Sequence, residues 1–385
     1  MNETTTTPPI RALLLTTVNP EDPRQGDAWR VQGLLRGLLA VADTTVVQWG
    51  GMPGGGHRIV PDSMAAQAIR ATRSLLSGPP LSTLPYRTGF PLIPGRYDIV
   101  AGYPLKVARW ALRVPAAIRV LDLTDSLGLL RERLSEFGYI GARLRLYGVG
   151  REEIAWGRRF TEAWVASADD AEYLRERDLP TVVVPNGSAW HVDLPWVSPK
   201  QLLFVGNLRY PPNRRGLDEF LRLVWPPLGR IGFHLDVVGR GSDHLRGGRG
   251  VRGHGLVDDL EPFYRRAGVV VSPIRVGAGA PTKVLEALAA GRPVVAWSEG
   301  LGGLTPAQRE GVLAVDGAPD WILALQRLQD RAVWDALHTA GLGAVDRWGE
   351  AQRARLEVLL TRHFSTRDDG TGRVSVDDPE PETVG

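Results

Sequence analysis

Two series of short β-branched runs, each alternating with longer helical stretches, constrain this chain more than any other feature. The first series holds residues 12–16, 44–48, 98–101, 119–123, 163–166 and 181–184. The second holds residues 201–205, 233–238, 269–272, 293–296 and 312–315. Strands that alternate with helices belong to parallel sheets joined by crossover helices. A polar, proline-containing break at 187–200 separates the series, and 385 residues are too many for one ordinary domain. The expected fold is therefore α/β, with two Rossmann-like domains facing each other across a cleft. The expected layout is a disordered stretch at 1–9, a first domain at 10–190, a linker at 191–200 and a second domain at 201–345. Residues 320–363 read as helical and amphipathic, with 346–363 placed to cross back to the first domain. The polar segment 364–385 reads as a disordered acidic tail.

Charge and composition remove several classes of function. Forty-six basic against 43 acidic residues give a net charge of only +3, which argues against a dedicated nucleic-acid binder. The tail carries two arginines and six carboxylates, so the folded body is more basic than the whole. Absence of cysteine excludes disulfides, thiolate metal sites, iron–sulfur clusters and a thiol nucleophile. The N-terminal Thr/Pro stretch has no basic or apolar region of a secretory signal, and no run approaches the ~20 apolar residues of a membrane span. A cytoplasmic location with at most peripheral membrane contact is expected. Seven arginines interleave with aromatics between 131 and 160. That pattern reads either as a surface for an anionic lipid or acceptor, or as helices packed on the sheet with solvated arginines; the second is favoured.

Ligands of open parallel sheets bind beyond the carboxyl ends of the strands, and four such places carry unusual residues. In Ser272-Pro-Ile-Arg-Val-Gly-Ala-Gly-Ala-Pro-Thr-Lys-Val-Leu-Glu-Ala-Leu-Ala-Ala-Gly-Arg-Pro, a strand ends and a loop carries Gly277 and Gly279. Pro281 stands where a helix begins, and Gly291 suits its C-terminal cap. Such a helix directs free N–H groups and a positive dipole end into the cleft, a setting for phosphate. Lys283, one of three lysines in the chain, adds a point charge for a diphosphate. Glu286, one step on along the same face, is an acceptor-only group for two sugar hydroxyls. An exposed Lys283–Glu286 ion pair is the plainer alternative. The second place follows 201–205, where Gly206 allows close approach and Arg209, Arg214 or Arg215 reach phosphate. The third is Val238-Gly-Arg-Gly-Ser. In the fourth, Leu121-Asp-Leu-Thr-Asp-Ser, Asp122 and Asp125 are candidates for a base or an electrostatic stabiliser, or else for helix capping.

Missing motifs narrow the choice further. Lys283 is followed by Val284 rather than Ser or Thr, so this is not a P-loop. No D-x-D run, H-E-x-x-H spacing or G-x-S-x-G elbow occurs, and no metal site is expected. The first half lacks a clean G-x-G-x-x-G with its downstream acid, which disfavours a nicotinamide dehydrogenase.

The run Gly279-x-x-x-Lys283-x-x-Glu286-Ala-Leu-Ala-x-Gly291-x-Pro293-Val-Val resembles the signature of the "glycosyl transferases group 1", the family 4 nucleotide-sugar glycosyltransferases of GT-B fold. Pro20…Gln25-Gly-Asp27-x-x-Arg30 resembles the loop after the first strand in one bacterial branch. Leu121-Asp122-x-x-Asp125-Ser126 stands where the family often has a His-Asp pair. Further similarities are Val165-Ala-Ser167-x-x-Asp170, Val184-Pro-Asn-Gly187, Phe204-Val-Gly206 with Pro212-Asn213, and Val238-Gly-x-Gly241. The resemblance implies sugar transfer from a UDP- or GDP-type donor, with retention of anomeric configuration, no metal and no other cofactor. By that resemblance Glu286 binds the ribose. The amides around Gly279 and Ala280 hold the diphosphate with Gly277, Lys283 and either Arg209 or Arg215. Gly206, Gly239, Gly241 and the 252–255 loop approach the nucleotide, and Asp125 is the leading catalytic candidate. The acceptor, on the first domain, is a small molecule, a glycan or a lipid-linked glycan. Two positions depart from the pattern: Ala278 replaces the first of the family's paired glutamates, and Thr124 replaces the histidine. A pseudo-glycosyltransferase, a nucleotide-sugar isomerase and a non-catalytic binding protein on the same fold are the alternatives.

Overall fold

The computed structural model describes residues 10–20, 26–49, 58–60, 93–139, 148–186, 191–245, 248 and 250–364. The expected disordered stretch at 1–9 and the acidic tail after Phe364 lie outside the described residues. So do 187–190 of the break, Gln25, and 140–147 of the arginine-rich stretch.

In the first domain the elements are β1 (Arg11–Thr16), α1 (Gly26–Leu39), β2 (Asp43–Trp49), β3 (Arg58–Val60), β4 (Tyr97–Tyr103) and α2 (Ala108–Ala111). There follow β5 (Ala116–Thr124), α3 (Leu127–Glu136), α4 (Val149–Gly157), β6 (Glu162–Val165), α5 (Ala168–Arg175) and β7 (Thr181–Val183). The strands form one parallel sheet in the order β3-β2-β1-β4-β5-β6-β7. Successive side chains point to opposite faces, and both faces are covered. Leu13, Val100 and Leu121 enter one apolar cluster, while Leu14, Ile99 and Val120 enter the other. This is why these strands read as continuous apolar runs.

The second domain repeats the plan with β8 (Gln201–Val205), α6 (Pro211–Leu223), α7 (Trp225–Arg230), β9 (His234–Val238), β10 (Val251–Gly253) and α8 (Glu261–Arg266). It continues through β11 (Val269–Ser272), α9 (Thr282–Ala289), β12 (Val294–Trp297), β13 (Val312–Val315), α10 (Ala318–Arg327) and α11 (Arg331–Phe364). Its sheet is also parallel, in the order β10-β9-β8-β11-β12-β13. The three-residue strands β3 and β10 go beyond the sequence expectation.

The segment 320–363 is not one helix. It breaks at 328–330, where the Asp330 carboxylate accepts the Ala332 N–H at 2.9 Å and starts α11. That helix serves both domains. Ala344, Val345 and Trp348 belong to the second domain's core, while Leu356 packs with Leu34 and Leu38 of the first. The Gln352 side-chain amide donates to the Pro185 carbonyl at 2.9 Å. Gly37 makes the contact with α1 possible, because a Cβ there would lie 2.0 Å from Leu356 Cδ1.

Candidate active site

The loop between β11 and α9 is shaped by close backbone approach. Gly279 has φ +69°, a left-handed conformation that favours glycine. A Cβ at Gly279 would lie 1.7 Å from Asp125 Oδ1, so this position also meets the opposite domain with no room for a side chain. Pro281 is the N-cap of α9, one position earlier than expected, and Gly291 (φ +63°) follows its C-cap.

Lys283 and Glu286 then face a cavity of about 650 Å³ that is also lined by Gly206, Tyr210, Asn213 and Gly239. Gly239 (φ +134°) fits against Gly206, where a Cβ would come within 2.2 Å of the Gly206 carbonyl oxygen. The Lys283 ammonium donates to Asn213 Oδ1 at 2.8 Å, and Asn213 is fixed by donating to the Asn207 carbonyl at 3.0 Å. Burial pulls the Lys283 pKa down to about 8, against the opposing pull of the Glu286 charge. Glu286 is buried and accepts from the Tyr264 hydroxyl at 3.3 Å. Burial pushes its pKa up to about 7, although Tyr264 and Lys283 favour the charged form. No direct Lys283–Glu286 hydrogen bond forms among the described residues; the exposed ion pair of the plainer reading is not what the fold builds.

A second cavity of about 280 Å³ adjoins the first, sharing Asp27, Tyr210, Asn213, Thr282 and Lys283. It sets Asp125 of the first domain opposite Gly277, Gly279 and Ala280. Asp125 is placed there by an irregular turn. The β5–β6 register shifts between Asp122 and Thr124, and Thr124 has φ +62°, an uncommon state for a β-branched residue. Asp122 holds that turn by accepting the Thr124 N–H at 2.8 Å. The same carboxylate is paired with the buried Arg30 guanidinium at 2.8 and 3.2 Å. Asp122 is therefore an anchor beneath the site rather than a group in the cleft, and its sequence reading as a base is corrected.

Two further carboxylates surround Asp125. Asp27, at the start of α1, lines both cavities. Asp170, in the first turn of α5, accepts the Ser126 N–H at 2.8 Å, the Ser167 hydroxyl, and, across the cleft, the Gly279 N–H at 3.0 Å. Burial raises the pKa of Asp125 and Asp170; Asp125 is raised well above the usual carboxylate range, with Asp170 and Asp27 adding repulsion. Arg133 adds a second bridge across the cleft, donating to the Gly277 carbonyl at 3.1 Å while paired with Asp169 at 2.7 Å. Sequence reasoning recorded Asp27 and Asp170 within longer motifs and gave them no role. Both follow strands of the first sheet, so the strand-end argument applied to α1 and α5 would have found them.

Other expected residues are distributed differently. Arg209, Arg215 and Gly241 line a neighbouring cavity and not the one that holds Lys283. Arg215 donates to the Phe137 carbonyl of the first domain at 2.7 Å. The 252–255 loop lies beside Gly239, whose N–H donates to the Gly255 carbonyl at 2.8 Å. Among the described residues, no helix is long and apolar enough to cross a membrane.

Residues 199–331 match the model of the family described as "Glycosyl transferases group 1". No curated protein matches the chain's sequence. Among solved structures, the sucrose-phosphate synthase of Thermosynechococcus elongatus is 18% identical with a TM-score of 0.62, over 92% of this chain and 100% of that one. Anabaena HepE in complex with UDP-glucose is 12% identical with a TM-score of 0.57, over 91% and 99%. The pneumococcal O-GlcNAc transferase GtfA in complex with UDP and GlcNAc is 8% identical with a TM-score of 0.59, over 93% and 99%. At such identities the likeness is one of fold, the GT-B arrangement of two parallel α/β domains.

Proposed function

We propose that this chain, whose residues 199–331 match the group 1 glycosyl transferases, moves a sugar from a UDP-type donor to an acceptor hydroxyl with retention and without a metal ion. The observation that carries this reading is the α9 N-terminus, with Lys283 and Glu286 opening on one cavity and Asp125 lining the adjoining one, which Lys283 also borders. Structures of the same fold that hold UDP-glucose, or UDP with GlcNAc, support the choice of nucleotide.

In this mechanism the ionised Glu286 accepts the two ribose hydroxyls. The diphosphate lies over the first turn of α9, where unpaired N–H groups and the helix dipole favour negative charge. Lys283 has donors to spare beyond the one given to Asn213, and these neutralise charge that develops as the diphosphate departs. That fixed positive charge takes the place a bound cation would otherwise fill. The donor must also win the Gly279 N–H from Asp170. Asp125, biased toward its neutral form by burial, is placed to hydrogen-bond the sugar or the incoming hydroxyl and so to fix their alignment, while the hydroxyl's proton leaves on the departing diphosphate oxygen as the sugar–phosphate bond breaks.

The reading is tested by supplying UDP- and GDP-sugars with a panel of acceptors in the presence of a chelator, and determining the product's anomeric configuration by NMR. The expected product keeps the donor's configuration, forms from the UDP-sugar and is unaffected by chelation. An inverted product, or turnover abolished by the chelator, contradicts the mechanism.

A further inference from the structure

Beside the donor cavity lies a larger one of about 1160 Å³, walled by α6 on one side and by the turn after β9 on the other. Helix α6 supplies Arg214, Arg215 and Arg222, spaced at seven and eight residues so that they share one face. Arg209 comes from the loop before α6 and Arg240 from the facing turn.

Five arginines line this cavity against three acids, one of which is paired outside it. Glu219 pairs with Arg275 at 3.1 Å, Asp243 lies 3.3 Å from His244, and Asp218 reaches Arg214 only at 3.7 Å. Arg209, Arg222 and Arg240 are exposed, and their guanidiniums have no hydrogen bond or ion pair among the described residues. Guanidiniums gathered without partners on one concave surface focus positive potential there, and their planar forks match phosphate oxygens in pairs.

The cavity is connected to the candidate active site by shared walls. It has Tyr139, Arg215 and Glu219 in common with a small cavity of about 240 Å³. That small cavity shares Val276 with the one containing Asp125. The arginine cavity also shares Arg240 and Leu256 directly with the cavity that holds Lys283 and Glu286. The donor's own phosphates are already provided for by Lys283 and the α9 N-terminus.

We propose that the arginine cavity binds phosphate groups carried by the acceptor at a distance from the hydroxyl that is glycosylated. Assignment of the ligand to the acceptor rests on the transferase reading; the anion site itself does not. The probe is inorganic tripolyphosphate, titrated calorimetrically into the full chain with and without saturating UDP. Binding is expected to persist under saturating UDP and to weaken with added salt. The Arg214→Ala/Arg222→Ala pair should lower tripolyphosphate affinity at least ~10-fold while leaving UDP affinity unchanged. Arg222→Lys, which keeps the charge, should retain part of it, and unaltered Tm values certify the fold. Tripolyphosphate binding that UDP abolishes, or that survives the double substitution intact, overturns the proposal. Lys283→Ala should show the opposite pattern, losing UDP and keeping tripolyphosphate. A wild-type chain that binds tripolyphosphate but no nucleotide would strike the transferase reading and leave this site standing.

Discussion

At the scale of single residues, two ionisable groups set the pH range in which the donor is held. Glu286 must be ionised to accept hydroxyls, so donor capture falls as pH drops through about 7. Lys283 must be charged to hold phosphate, so capture also falls as pH rises through about 8. A kcat/KM profile with limbs near these values is expected, and Glu286→Gln should remove the acid limb while lowering kcat/KM roughly 10-fold. The same shift makes a statement about stability. The folded state holds the Glu286 proton more tightly than the unfolded chain, so its contribution declines as pH rises from about 4.5 to about 7. Lys283 and Glu286 were legible in the sequence because residues three apart on one helix share a face. The anchoring role of Asp122 was not, since its partner Arg30 is 92 residues away and meets it only through the order of strands β1, β4 and β5. Asp122→Ala would leave the Arg30 charge buried and unpaired, at a cost of roughly 3–5 kcal/mol in chemical denaturation.

At the scale of elements, the β11–α9 unit does most of the positioning. Its strand, glycine loop, helix and C-terminal glycine were readable in order, because each uses local rules of capping and backbone freedom. What local rules do not contain is that Gly279 must admit another domain's carboxyl group. Gly279→Ala should therefore do more than impose the ~1–2 kcal/mol strain of a left-handed alanine. Its methyl group would collide with Asp125, and kcat/KM should fall at least ~100-fold while Tm moves by only a few degrees. A drop in Tm with activity retained would contradict that account. The long α11 was only partly legible: its amphipathic pattern is visible, but a helix that packs on two domains in succession changes its buried face midway, which hides both its start and its destination.

At the scale of the whole molecule, the two domains meet through groups that the donor also requires. Asp170 holds the Gly279 amide, Asp125 rests against the same glycine, and Arg133 reaches the Gly277 carbonyl. Burial favours the protonated form of Asp125, and its contact with Gly279 of the other domain supplies part of that burial, so at this carboxyl the closed arrangement holds the proton more tightly than an open one. Raising the pH should therefore open the cleft in the free protein, seen as a larger radius of gyration in solution scattering, and UDP should reverse it. Asp170→Asn should open it at neutral pH, since one of its three donors would then face an amide NH2 group. Two parallel domains and a cleft followed from the alternation of strands and helices; this contact depends on packing between domains, which that pattern does not record. The central claim is that the α9 N-terminus holds the donor's diphosphate. Calorimetric titration of UDP into the wild-type chain and Lys283→Ala tests it most directly. The account predicts a loss of at least ~30-fold in affinity, with the Tm of the free protein nearly unchanged; equal affinities in the two proteins would contradict it.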